Sequence, residues 1–135
     1  MLTDLSPLIS FTGDAGPAIA HYCAVFGDAE VETMVLFGPD DEDGPEGNVR
    51  LASVRLGSTR LRCIDLDEPT GFERSGAVSL FATLDRAEDV DRIGTGLAEG
   101  GSFLMLPDAY PFAARFAWVM DRFGIHWQLM HGQSL

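Results

Sequence analysis

The side chains with acid–base or ligating chemistry start with three histidines, His21, His126 and His131. A divalent ion in an oxygen-and-nitrogen site wants three or four converging donors with some negative charge. His21 falls in a helical pattern, and the other two stand near the end of the chain, so their spacing builds no such set. The more informative residue is Gln128, in the stretch Asp121-Arg122-Phe123-Gly124-Ile125-His126-Trp127-Gln128-Leu129. A polar turn with Gly at its fourth place leads into alternation. Ile125, Trp127 and Leu129 point one way, and His126, Gln128 and Met130 the other. The apolar face covers a core; the polar face meets water or a pocket.

Other patterns carry less chemistry. Asp40, Asp41, Glu42 and Asp43 bunch in a loop over 38–47. A calcium loop turning at Gly44 needs acids where this chain has Pro39 and Arg50, so the bunch reads as a solvated acidic loop. Arg50 reads as a surface residue, and would pair with an anionic ligand if it faced inward. Gly94-Thr95-Gly96 lacks the third glycine, because position 99 is Glu99, and no strand directly precedes it. No other glycine fingerprint for a nucleotide or for S-adenosylmethionine is present, so no cofactor is expected. No G-x-S-x-G, H-E-x-x-H or C-x-x-C occurs. Cys23 and Cys63 sit in a helix pattern and a strand pattern, which suits buried, reduced thiols in a cytoplasm.

The formal net charge of −12 over 135 residues repels phosphate backbones and argues against nucleic acid. It mildly favours a cationic ligand. Apolar residues make up 46%, without a run long enough for a membrane span, so a globular fold with a sizeable core is expected. The start, Met1-Leu2-Thr3-Asp4, shows no secretory signal.

The elements that must position these residues follow from periodicity. Residues 7–12 read as a strand. Asp14 caps a helix whose buried stripe is Ile19, Tyr22, Cys23 and Phe26, and Gly27 ends it. Strands follow over 30–37, 48–56 and 59–65, the last two joined by a Gly57-Ser58 turn. A polar linker spans 66–76. A strand over 77–84 leads to a second helix, capped by Asp85 with Glu88 as a capping box and buried through Val90, Ile93 and Leu97. Strands over 102–106 and 115–120 and the final strand complete the chain. Residues 107–114, with Tyr110 and Phe112, read as a loop that could act as a lid.

The order is strand, helix, three strands, twice over. At an offset of 71, Asp14 meets Asp85, Ile19 meets Val90, Tyr22 meets Ile93 and Phe26 meets Leu97, which supports duplication. The expected fold is α+β: tandem βαβββ halves, about 5–66 and 77–131, in one domain, with helices outside and two curved sheets enclosing a cleft.

Specific residues extend this reading to a family. They are Pro7-Leu8-Ile9-Ser10-Phe11, His21-Tyr22, Phe26-Gly27-Asp28-Ala29-Glu30, Gly38-Pro39, Gly44-Pro45-Glu46-Gly47, Ala77-Val78-Ser79-Leu80 and the closing Asp121 to Gln128 stretch. Across nearly its whole length the chain resembles the PhnB-like branch of the vicinal-oxygen-chelate superfamily. That superfamily includes glyoxalase I, extradiol dioxygenases and bleomycin-resistance proteins. The resemblance implies four metal ligands in the metal-dependent members. The first two places, seven residues before each cap, are Pro7 and Val78 here. The last aligns with Gln128, and one falls within 61–63. No catalytic metal of the glyoxalase kind is therefore expected.

With Pro7 setting the parity, Ile9 and Phe11 face the cleft on the first strand, and Val78, Leu80 and Ala82 on the fifth. His126 and Gln128 face it on the last, and Trp118 adds a flat wall. The ligand-binding residues expected are Phe11, Tyr110, Phe112, Trp118, His126 and Gln128, in an apolar cleft with few hydrogen-bonding groups. The function expected is small-molecule binding by a homodimer. The alternatives are a metal-dependent lyase, isomerase or dioxygenase, and an antibiotic-sequestering protein of the bleomycin-binding type.

Overall fold

Alternating apolar residues and glycine-terminated helices give each half the same element order. The computed structural model describes residues 1–67 and 73–134, in two compact units, 1–72 and 73–135. Much of the linker expected over 66–76 lies outside the described residues.

The first unit holds β1 (Leu8–Phe11), α1 (Ala15–Phe26), β2 (Glu30–Leu36), β3 (Val49–Leu56) and β4 (Thr59–Asp65). Its sheet has the order β1-β4-β3-β2, with β1 parallel to β4 and the other neighbours antiparallel. Helix α1 buries Ala15, Ala18, Ile19 and Tyr22 and packs on β3 and β4. Beneath it Ala52, Val54, Leu61 and Cys63 have almost no exposed surface. Fully burying a side chain such as Val54 or Leu61 contributes about 1.5–3 kcal/mol.

The start of α1 differs from the expectation. Asp14 holds the N-cap position, but its carboxylate makes no capping bond. The carboxylate that meets this end of the helix is Asp65, 6% exposed. Its Oδ1 accepts the Gly13 and Ala15 N–H groups at 2.8 and 3.0 Å, and its Oδ2 accepts Val49 N–H at 2.8 Å. A buried carboxylate needs such donors, and the first N–H groups of a helix lack partners within it. Asp65 thereby ties α1 to the start of β3 and the end of β4.

The second unit holds β5 (Leu80–Thr83), α2 (Ala87–Ala98), β6 (Ser102–Tyr110), β7 (Ala113–Met120) and β8 (His126–Gln133). Its sheet, β5-β8-β7-β6, repeats the first one's pattern, with β5 parallel to β8. Helix α2 covers one face through Val90, Ile93, Gly94 and Leu97. Its N-cap is Arg86 rather than Asp85, and no side chain makes a capping bond there. The helix is held by Arg115 on β7, whose Nε and Nη2 donate to the two oxygens of Asp91 at 2.8 Å each.

Two strands run differently from the sequence reading. Strand β5 begins at Leu80, not 77. Strand β6 continues through Pro107 to Tyr110, so the expected loop over 107–114 is a strand end and a tight turn. Proline lacks the N–H a central strand needs, but β6 is an edge, and its pairing with β7 shifts register on either side of Pro107. Together the units form an α+β fold of two helices and two mixed four-stranded sheets.

Candidate functional site

Register fixes which residues share a face of the second sheet. Leu129 and Phe103 approach Gly94 of α2, so they mark the helix side. Pairing of Ala117 with Leu129 and of Val119 with Trp127 places all four there. The opposite, helix-free face carries His126 paired with Met120, Gln128 with Trp118 and Met130 with Phe116. The core side of the final strand is thus the one its alternation indicated. On β5 the expectation is corrected. Leu80 and Ala82 pair with Trp127 and Leu129 on the helix side, and Phe81 and Thr83 share the face of Gln128 and Met130.

On the helix-free face Trp118 Nε1 donates to His126 Nδ1 at 3.0 Å. The indole nitrogen can only donate, so Nδ1 accepts, and the proton of the neutral imidazole sits on Nε2. His126 is only 7% exposed. Part of its cover is Gly76, where a Cβ would stand 2.9 Å from Trp118 Cζ2 and 3.3 Å from His126 Cε1. The chain passes so close that a side chain does not fit. Gln128 Nε2 donates to Ser79 Oγ at 3.3 Å, which joins the same segment to β8.

Tyr110 ends β6 and Phe112 lies in the turn to β7, and both pack on Phe116. They stack at 5.7 Å, and both meet Phe116 edge-on, at 5.9 and 4.9 Å. The Tyr110 hydroxyl donates to Leu106 O at 2.7 Å. With Ala113, Met130, Met105 and Trp118 they form one apolar cluster. The rings thus sit at a strand end and in a tight turn, packed on this cluster, rather than in the long loop expected. Trp118, His126 and Gln128 therefore lie side by side, with Tyr110 and Phe112 beyond Trp118. Alternation already put Met130 on the face of His126 and Gln128, and Phe116 on that of Trp118, but sequence reasoning counted neither them nor Gly76 among the site residues. Gly76 looked like linker, and Met130 and Phe116 gain meaning only from their pairing.

Phe11 is placed differently. It pairs with Asp65 and has no exposed surface, and Ile9 pairs with Cys63. Both lie on the side covered by α1, so the Pro7 parity is corrected: Leu8 and Ser10 occupy the helix-free side of β1. Arg50 is exposed and bonds Asp41 at 3.0 Å, as a surface residue. The Gly38 N–H, followed by Arg50, holds the Asp41 carboxyl below its usual range.

The same registers test the ligand places implied by the resemblance. Pro7 and Val78 carry no donor atom in their side chains. Within 61–63, Leu61 and Cys63 are packed under α1. Burial, then the charge of Asp65, pushes the Cys63 thiol up to about 12, so it does not ionise to a ligating thiolate near neutrality. The residue left for the helix-free face is Arg62, paired with Leu8 and with Ser53. A guanidinium repels a divalent cation. Among the described residues, no three His, Cys, Asp or Glu gather in a way that could hold a metal ion. These residues do not fit a divalent centre of the glyoxalase kind.

Comparison with known proteins agrees with the fold. The family model described as 3-demethylubiquinone-9 3-methyltransferase matches residues 3–130. Protein YjdN of Escherichia coli (strain K12) is 27% identical over 138 residues, covering 93% of this chain and 92% of its own. The structure of a putative 3-demethylubiquinone-9 3-methyltransferase, PhnB protein, from Bacillus cereus is 29% identical, with a TM-score of 0.88 over 96% of this chain and 100% of that one. The fosfomycin resistance protein FosX from Listeria monocytogenes, solved with Mn(II), shares the fold at 15% identity, with a TM-score of 0.67 over 98% of this chain and 95% of that one. The match across almost the whole length means that the chain belongs to the PhnB-like, 3-demethylubiquinone-9 3-methyltransferase family, and its tandem βαβββ units share the fold of the glyoxalase, or vicinal-oxygen-chelate, proteins.

Proposed function

We propose that this chain binds a small molecule on the helix-free face of its second sheet, without a catalytic metal. The Trp118–His126 hydrogen bond carries the reading. It orients an imidazole whose remaining N–H can donate, beside Gln128 and Ser79 and next to the wall of Phe116 and Met130. Few polar groups on an apolar wall is the usual composition of a small-molecule site. FosX was solved with Mn(II); here Pro7, Val78 and Arg62 speak against taking that metal over. The family description names a methyl transfer, which we do not carry over, since the chain's glycine spacing offers no cofactor loop.

The test is a thermal-shift screen of small heteroaromatic compounds on the purified protein and on Gln128→Ala and His126→Ala. A hit that stabilises the parent and loses its effect in both variants supports the site. Hits that act equally on all three proteins, or no hit, count against it.

We also infer that two copies of the chain pair through β2. All seven residues of this edge strand are exposed, among them Val31, Met34, Val35 and Leu36. An apolar edge of this kind invites another strand. Sedimentation that returns a monomer at micromolar concentration defeats this inference. Cys23 and Cys63 are both free thiols, which fits our placement of the chain in the cytoplasm.

A further inference from the structure

We propose that Arg62 binds the anionic group of a ligand, a carboxylate or a phosphate-type oxyanion, on the helix-free face of the first sheet. In this proposal the carboxylate of Asp4 stands in for that group when no ligand is bound. The proposal concerns the first unit and does not depend on the reading of the second sheet's face.

Two registers place Arg62 on this face, opposite Leu8 on one side and Ser53 on the other. Arg60, two residues earlier, shares the face, and Arg55 pairs directly with Arg60. An acidic chain of net charge −12 thus places three of its nine basic residues together. Like charges directly across a ladder destabilise it unless something offsets them. Glu30 and Glu32 on β2 do so for two of the three. Arg55 is ion-paired with Glu30 and lies 3.6 Å from Glu32, and Arg60 donates to Glu32 at 2.7 Å.

Arg62 is outside that arrangement. Its carboxylate is Asp4, with Nη2 and Oδ2 3.9 Å apart, beyond hydrogen-bonding distance. The same Oδ2 accepts the Ser6 hydroxyl at 3.0 Å. Asp4 lies in the exposed stretch ahead of β1, and the Arg62 side chain is 40% exposed. A guanidinium presents a planar fork that takes a carboxylate or phosphate through two parallel bonds. Asp4 pairs with this fork at long range and makes no hydrogen bond to it, so a free anion that makes both bonds can take its place.

The experiment titrates the protein with inorganic phosphate and, separately, with acetate, at constant ionic strength made up with chloride. Two-dimensional NMR follows the amides of Leu8, Ser53 and Arg62. We expect saturable shifts centred on these residues. Arg62→Gln should weaken binding about tenfold or more, and Arg62→Lys, which keeps the charge without the fork, by less. Asp4→Asn should bind a few-fold more tightly, because the competing carboxylate is gone. Tighter binding of phosphate than of acetate assigns the oxyanion class, and the reverse order assigns a carboxylate. Shifts that do not saturate, shifts unchanged in both Arg62 variants, or weaker binding by Asp4→Asn overturn the proposal. Amide spectra of each variant confirm its fold, and the lysine variant keeps the test decisive if the glutamine variant does not fold.

Discussion

The indole N–H of Trp118 and Nδ1 of His126 meet at 3.0 Å across the β7–β8 ladder, and this bond fixes which imidazole nitrogen carries the proton. Removing the donor with Trp118→Phe should release the tautomer. We expect a loss of about 1 kcal/mol in urea unfolding, the usual worth of one such bond. In nitrogen-15 NMR at neutral pH, the parent should show a bare Nδ1, and the variant a mixture of tautomers. Identical imidazole shifts in the two proteins refute the assignment.

Gly76 has no room for a side chain over the same pair. In Gly76→Ala the new methyl meets the Trp118 ring at 2.9 Å and His126 at 3.3 Å. Overpacking of this size costs about 1–3 kcal/mol. The near-ultraviolet circular dichroism of Trp118 should change with it. A variant as stable as the parent, with an unaltered spectrum, shows that the segment does not press on this face.

Asp65 is the larger structural risk. Asp65→Asn keeps the shape but replaces one oxygen with an N–H₂ group, which cannot accept. Three N–H groups, those of Ala15 and Val49 buried and that of Gly13 partly so, now depend on that carboxylate. At least one would be left without a partner, a penalty of about 1–3 kcal/mol. Chemical denaturation should show a lower midpoint at unchanged slope. Faster amide exchange at Gly13, Ala15 or Val49 would locate the loss.

Cys63 gives a pH prediction. Its folded value is raised to about 12 from an ordinary 9.0. Below the ordinary value the thiol is neutral in both states, and the contribution is fully present. As pH climbs from about 9 towards 12, the unfolded chain ionises first, and that stability is lost. Cys63→Ala should therefore lose less stability than the parent between pH 9 and 11, although it starts lower. In the native protein at pH 8 a thiol reagent should modify Cys63 only after unfolding. Rapid native labelling at Cys63 contradicts the burial.

Much of this molecule could be read without coordinates. The periods of the two helices, the Gly27 stop, the Gly57-Ser58 hairpin and the Asp121–Gln128 turn and strand are local properties. Chain entropy and side-chain alternation set them within a few residues, and the repeat and its family likeness follow from them. The orientation of Trp127 and Leu129 was legible for the same reason: a long alternating run leaves one choice of face.

Short strands gave no such certainty. With four residues each, β1 and β5 have too little alternation to set their facing, and a one-residue slip reverses every side chain. Their pairing with β4 and β8 decided that Phe11 lies under α1 and that Phe81, not Leu80, shares the face of Gln128. Pro107 looked like a loop because proline breaks ladders, and only the edge position of β6 made it tolerable. Asp14 holds the N-cap position as read, but the carboxylate that bonds this end of α1 is Asp65, which no local spacing could name. The sequence alone determined the elements, their order and the family. The tertiary structure decided which faces they present, because strand facing and long-range hydrogen bonds depend on partners that no local spacing names.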